Sequence, residues 1–453
     1  MVCYHLVPRL AKNYIILIFS LFFYAWGAMD FVGILLIAST ANFFIVRIMD
    51  KASEHRKRYL TASIVLNLGL LLYFKYANFF VGNFNAALHS MGIDEVGWTK
   101  VALPIGISFY TFQTITYAVD VYRKENPPLN KLTDYLLYIL SFPQMIAGPI
   151  VRYGTVARDI TSRKEVIDDK LFGFYRFSIG LAKKVLIANY LGEQADLIMD
   201  AKVSGINGSE AWIGILAYTF QIYFDFAGYS DMAIGMGRMI GFKFPENFDS
   251  PYTSKSITEF WRRWHITLGN FMRDYLYIPL GGNKNKWKNR VYVNLTVVFL
   301  ISGFWHGASW NYVLWGAFHG IFLVLDRLFL KKFLDRIGPF AILITFFIVM
   351  MGWVFFRIEN VDHLFAYFGK LFASPLGTFE VLSQFWLPFI IAAIFSFITL
   401  FGFGKKLGNY FFVKDRYSLV EHGILTISLG FVFYLCVSVV ISSGFNPFIY
   451  YRF

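Results

Sequence analysis

The chain has 453 residues, 57% of them hydrophobic and 16% charged, and its mean hydropathy of +0.51 excludes an ordinary soluble domain. Its net charge of +13 sits on Lys and Arg in short connections between apolar runs, the pattern of cytoplasmic loops rather than of a nucleic-acid-binding stripe. Cys3 and Cys436 are the only cysteines, so neither a disulfide framework nor a structural zinc site is supported, and no metal is expected. At roughly 20 residues per crossing, the length predicts an all-α polytopic membrane protein of about ten to twelve spans. These form a single domain over residues 1–453, with membrane lipids as neighbours.

Arg9 and Lys12 precede the apolar run Tyr14–Trp26, which resembles the start of a signal peptide. No small-x-small cleavage pattern follows, and Phe31–Ile48 is a second run, so two transmembrane helices are expected. Lys51, Arg56, Lys57 and Arg58 mark the next loop as cytoplasmic, before a helix at about Tyr59–Val81. Gly82–Lys100 lies outside, and Val101–Val121 returns to the basic, Pro-containing segment Arg123–Lys131.

Asp134–Val151 breaks the alternation, because it is apolar enough to span yet basic on both flanks. Pro143, Gly148 and Pro149 within it predict a broken or re-entrant helix. Irregular backbone at membrane depth is tolerated only when buried in protein or lining a wet cavity, which makes Gln144 and Arg152 candidates beside a pathway. Leu171–Leu191 carries Lys183 and Lys184, expected to snorkel toward the interface. In Ala211–Gly241, Asp225 and Asp231 lie among small residues and call for partners such as Arg238 or a histidine. A structural ion pair and a catalytic carboxylate are both open readings there.

Ser256 with Glu259 forms a capping-box pattern. The helix it starts places Phe260, Trp264, Leu268 and Phe271 on one side and Arg262, Arg263 and Arg273 elsewhere, which predicts an interfacial helix carrying His265 beside its apolar face. Arg273 and Asp274 near its end are supporting candidates. Phe299–Gly320 then holds His306 and His319 in a membrane-grade run, where an ionisable side chain usually faces a protein interior or a cavity. Trp305 would wall one side of His306, with open backbone at Gly307 on the other. On one continuous helix the two histidines would stand roughly 20 Å apart at 1.5 Å per residue, too far to share a metal unless the helix breaks near Gly307. Ile337–Phe356, Phe385–Phe403 and His422–Ser442 read as scaffold helices.

No GxxxxGK[ST], GxSxG or HExxH motif is present, which leaves nucleotide-driven pumping, conventional serine hydrolysis and metalloproteolysis unsupported. A histidine in a dry tunnel suits removal of a proton from a hydroxyl nucleophile and its return to a leaving thiol. His265 would orient a reactant or stabilise an oxyanion, and cytoplasmic basic residues would attract an anionic donor such as an acyl-coenzyme A.

Four blocks carry a resemblance: FPQMIAGPIVRY (142–153), FDFAGYSDMAIGMGRMIGFKFPENFDSPY (224–252), FWRRWHITLGNFMRDYLYIPLGGN (260–283) and FWHGASWNYVLWGAFHG (304–320). Together they resemble the membrane-bound O-acyltransferase (MBOAT) family, in particular its bacterial alginate O-acetylation branch. The resemblance implies a helical bundle around a central tunnel, with core motifs over about 142–320. It implies His306 as the catalytic histidine, His265 as its partner and His319 as a third family histidine. It also implies acetyl transfer from cytoplasmic acetyl-CoA toward an exported polysaccharide, in the cytoplasmic membrane, completed by a separate extracytoplasmic SGNH-like acetyltransferase. Family members commonly begin about one helix earlier than the segment matching Tyr4–Trp26. Two other readings are D-alanyl transfer from a carrier protein to teichoic acid and a lipid-linked sugar transporter or flippase using histidines as proton relays.

Overall fold

The computed structural model describes residues 2–284, 289–414, 416–443 and 448. Among these residues every regular element is helical, and together they fall into two compact units. The first comprises Met1–Lys170 and Met236–Pro245; the second comprises Leu171–Gly235 and Glu246–Phe453.

In the first unit, α1 (Lys12–Ala28) and α2 (Val32–Lys51) are the two helices expected from the apolar runs, separated by a break where Ala28 takes φ −154° and ψ 50°. The third span runs further than its apolar core: α3 (Arg56–Leu71) continues through a π-helical turn at Leu72–Tyr76 into Ala77–Ser90. α4 (Ile107–Tyr122) begins only after Pro104 and Gly106. Gly106 sits at φ +73°, and a Cβ there would come within 2.7 Å of the Met145 carbonyl oxygen, so only glycine fits.

Met145 belongs to the segment expected to break. α5 (Leu132–Leu140) stops before Pro143, and regular structure resumes only at α6 (Tyr153–Ser162). Between them Gly148 adopts φ +93°, the Gln144 amide donates to the Tyr138 carbonyl at 2.9 Å, and the Tyr138 hydroxyl donates to the Val151 carbonyl at 3.0 Å. Irregular backbone survives here because side chains satisfy it and the segment is almost wholly buried.

The second unit is organised on α7 (Ile167–Ala182) and the 32-residue α8 (Gly208–Met239). Four glycines let them touch: a Cβ on Gly180 would come 2.6 Å from the Gly228 carbonyl oxygen, and one on Gly235 would come 2.5 Å from that of Gly173. The pairing of 173 with 235 and 180 with 228 makes the helices antiparallel, with a backbone-to-backbone seam of the kind membrane helices use. Past α7 a π-helical turn at Lys183–Ala188 leads into Asn189–Met199. After α8 come α9 (Ile257–Arg263), α10 (Ile266–Phe271), α11 (Arg290–His306), α12 (Trp310–Leu325) and α13 (Phe340–Arg357).

Five helical stretches among the described residues are long and apolar enough to cross a membrane, or six with the bent pair Trp386–Leu400 and Gly402–Val413. One of the five, Arg9–Lys51, contains both α1 and α2. α8 is not among them despite its length; it carries Asp225 and Asp231 into the unit's interior. Apolarity alone therefore does not count helices that bury polar side chains. The chain is an all-α, multi-pass membrane protein.

Candidate active site

The expected interfacial helix at 256–282 is not one helix. Ser256 does cap it, its hydroxyl accepting the Glu259 amide at 3.1 Å while Glu259 accepts the Lys255 amide at 2.8 Å. α9 then ends at Arg263, and His265 turns the chain in the left-handed region, φ +44° and ψ +53°, before α10. Such a conformation costs a residue with a Cβ on the order of 1–3 kcal/mol and persists only where neighbours enforce it. Asn247 enforces it. Its backbone carbonyl accepts the Ile266 amide at 2.9 Å, and its side-chain oxygen accepts the Thr267 amide at 3.3 Å and the Thr267 hydroxyl at 2.8 Å. The same oxygen lies 3.1 Å from His265 Nδ1. Phe260, Trp264, Leu268 and Phe271 are all buried in the second unit's own interior instead of facing an interface. The break at 264–265 is what turns His265 fully inward.

The run 299–320 also breaks. α11 ends at His306, residues 307–309 are extended or bent, and α12 folds back against α11. Gly303 and Gly316 make the hairpin possible, since a Cβ on either would overlap a backbone carbonyl of the facing helix. The turn folds α12 back so that Trp315 packs against both imidazoles, its ring centroid 5.1 Å from that of His306 and 5.1 Å from that of His319. The glycine side of His306 is not open: a Cβ on Gly307 would overlap the Tyr312 ring.

The three histidines are thereby joined by indoles. Trp305 meets His306 at 4.9 Å and His265 at 6.4 Å between ring centroids, and Trp261 meets His319 at 4.9 Å, its indole nitrogen donating to His319 Nδ1 at 3.3 Å. Phe356 closes over His306 at 5.2 Å, and Phe226 stands edge-on to His265 at 4.7 Å. All three imidazoles are buried, and among the described residues the Nε2 atoms of His265 and His319 have no hydrogen-bond partner. A buried polar atom without a partner costs about 1–3 kcal/mol, so each of these calls for an explanation.

The family model of membrane-bound O-acyltransferases, MBOAT, matches residues 18–361, which include every element of this cluster. The chain belongs to the membrane-bound O-acyltransferase family. It is 43% identical over 385 residues to the probable alginate O-acetylase AlgI of Azotobacter vinelandii, covering 84% of this chain and 77% of that protein. A peptidoglycan O-acetyltransferase of Helicobacter pylori is 38% identical over 78% of this chain and 72% of its own length. A teichoic acid D-alanyltransferase of Bacillus subtilis matches less of it, at 33% identity over 57% of this chain and 70% of that protein. The protein is thus an O-acyltransferase of the alginate O-acetylase type in sequence.

The remaining candidates of this O-acyltransferase fall elsewhere. Asp231 is held by Arg176 at 2.7 Å and Lys183 at 2.6 Å, and Asp225 by Lys184 at 2.5 Å. These cations come from α7 and its π turn, whereas the Arg238 expected as a partner lies 3.7 Å from Asp169. Lys183 and Lys184 accordingly turn to the two carboxylates that the glycine seam brings beside them, where snorkelling outward was expected. Arg176 also grips Glu246 at 2.5 Å, and Glu246 immediately precedes Asn247. Arg273 and Asp274 pair with each other at 2.6 Å, with the arginine exposed. Gln144 and Arg152 belong to the first unit, Gln144 buried and Arg152 at the start of α6.

Sequence reasoning missed Asn247, Thr267, Trp261 and Trp315. Asn247 lies within one of the quoted blocks, but nothing in its neighbours FPENF foretells a contact with position 265. Trp261 and Trp315 carry a recoverable signal, being aromatic residues one or two helical turns from a membrane histidine.

Proposed function

We propose that this O-acyltransferase moves an acetyl group from cytoplasmic acetyl-CoA toward a hydroxyl of an exported polysaccharide of the alginate class, at the cytoplasmic membrane. The observation that carries this reading is the 43% identity to an alginate O-acetylase across 77% of that protein, spanning all three histidines. His306 is the general base. It takes the proton of the attacking hydroxyl as the oxygen adds to the thioester carbonyl, and returns it to the thiolate expelled when the tetrahedral intermediate collapses, so one proton is borrowed and restored. The indole wall of Trp305 and Trp315 excludes water that would hydrolyse the thioester. The hydroxyl acylated here is that of an intermediate acceptor, and a separate extracytoplasmic acetyltransferase of SGNH type breaks that ester, moves the acetyl group to a hydroxyl of the polymer and restores the acceptor's hydroxyl.

Inside-out membrane vesicles supplied with acetyl-labelled acetyl-CoA test the donor. Release of free CoA that depends on the protein and on His306 supports the reading. Equal turnover in vesicles lacking the protein, or label that moves only from an acyl carrier protein, overturns it.

A further inference from the structure

Asn247 does more than cap α10. The Thr267 backbone amide can only donate, and it faces the Asn247 side chain at 3.3 Å, so the atom presented there is the amide oxygen. At the opposite end the amide nitrogen then donates to the Ser230 hydroxyl at 3.1 Å. His265 Nδ1 lies 3.1 Å from that same oxygen, which has no proton to give. A hydrogen bond across this distance therefore requires the proton to be on Nδ1. The neutral imidazole has one proton, so Nε2 is left as a lone pair, buried and without a partner among the described residues.

We propose that Asn247 is a positioning residue that locks His265 in its Nδ1–H tautomer, so that Nε2 accepts a hydrogen bond from another donor of the acceptor molecule and orients it, while the attacking hydroxyl's own proton goes to His306. This inference rests on the acyl-transfer reading above. It chooses between the two roles open to His265: an Nε2 lone pair orients a donor of the acceptor molecule and cannot donate to an oxyanion. The lock is itself held in place on both sides. Glu246, the preceding residue, is clamped by Arg176, and Asp225 beside Phe226 is clamped by Lys184. Neither carboxylate is hydrogen-bonded to His265, whose polar contact is Asn247. Ile266 and Thr267 fasten the same asparagine to the first turn of α10, which keeps the ring plane from swinging.

The tautomer can be read without any activity measurement. Full-length protein labelled with ¹⁵N-histidine, compared with His265→Asn to assign its resonances, is expected to give a protonated Nδ1 and an unprotonated Nε2 for His265. A protonated Nε2 overturns the proposal, whether or not the protein transfers acetyl groups. Conversely, the expected tautomer in a protein that does not turn over acetyl-CoA would leave the lock standing and remove only the acceptor molecule from its account. Activity then separates positioning from bulk structure. Asn247→Asp keeps an oxygen acceptor facing Nδ1–H and should retain most of the rate. Asn247→Leu, at matched abundance in the membrane, should lose about 10- to 100-fold, the range for removing a residue that orients a histidine. Equal rates in the two variants would overturn the positioning role.

Discussion

Asp225 and Asp231 are buried as deeply as His265 and His319, yet the two pairs are treated in opposite ways. Each carboxylate has a lysine within 2.6 Å, and Asp231 has Arg176 as well. Each imidazole has one nitrogen engaged by a neutral neighbour and one left open. The first arrangement is closed, and its physics is that of a brace: buried charges hold helices together because separating them would strand an ion in a medium of low dielectric. The second is not closed by charge, and a buried nitrogen without a hydrogen-bond partner among the described residues calls for an explanation, which the acyl-transfer reading supplies at His265. The same unit thus contains one polar cluster braced by charge and another that the acyl-transfer reading assigns to the reaction.

That contrast is broken most severely by exchanging the consequences. His306→Ala should lower the rate of acetyl transfer by about 10²–10⁴-fold, the contribution of a positioned acid–base group, with little change in thermal unfolding of the detergent-solubilised protein. Asp231→Leu should do the reverse. It leaves Lys183 without its carboxylate and Arg176 with Glu246 alone, at a cost of up to about 3–5 kcal/mol visible as a lower unfolding midpoint and reduced abundance. If Asp231→Leu folds normally and is inactive, the brace belongs to the reaction and the contrast is wrong.

A smaller effect sharpens the account at His319. A Cβ on Gly352 would lie 2.5 Å from His319 Nε2, so Gly352→Ala must push the ring off its contact with Trp261. Overpacking of this kind costs about 1–3 kcal/mol. The unfolding midpoint should fall, and the rate should fall with it only if His319 takes part in transfer.

The first unit supplies a control outside both clusters. Glu165 is held by the Lys12 ammonium at 2.7 Å and the Tyr4 hydroxyl at 2.7 Å, with Lys170 at 3.5 Å. Partial burial pushes its carboxyl upward, but Lys12, Tyr4 and Lys170 outweigh that and hold it down to about 2, from 4.5. A depressed acid stabilises the fold fully above its unfolded value and loses that contribution as pH falls from about 4.5 toward about 2. Wild type should therefore lose more thermal stability than Glu165→Gln between pH 6 and pH 3, values on the order of those bracketing a carboxylate titration. Parallel curves would show that this ion cluster contributes nothing.

The helices were legible because long apolar runs leave little choice, and the broken segment at 141–152 was legible because two prolines and a glycine cannot continue a helix that both flanks forbid to cross. The two chain breaks at the site were not. His265 in the left-handed region has no proline or glycine beside it to announce it; the break is imposed by Asn247, 18 positions earlier. At His306 the signal was present in Gly303, Gly307 and Gly316, but a single glycine only permits a turn, and the three acquire meaning together once α12 lies on α11. Lys183 and Lys184 misled for a related reason: local rules send a lysine to the nearest water, whereas the glycine seam supplied a nearer carboxylate.

The central claim is that the histidine cluster, and His306 within it, performs the transfer. The most direct measurement is the O-acetyl content of exported polysaccharide from cells producing His306→Ala, with the protein present in the membrane at wild-type abundance. The account predicts that acetylation is lost. Full acetylation at that abundance would contradict it and remove His306 from the reaction.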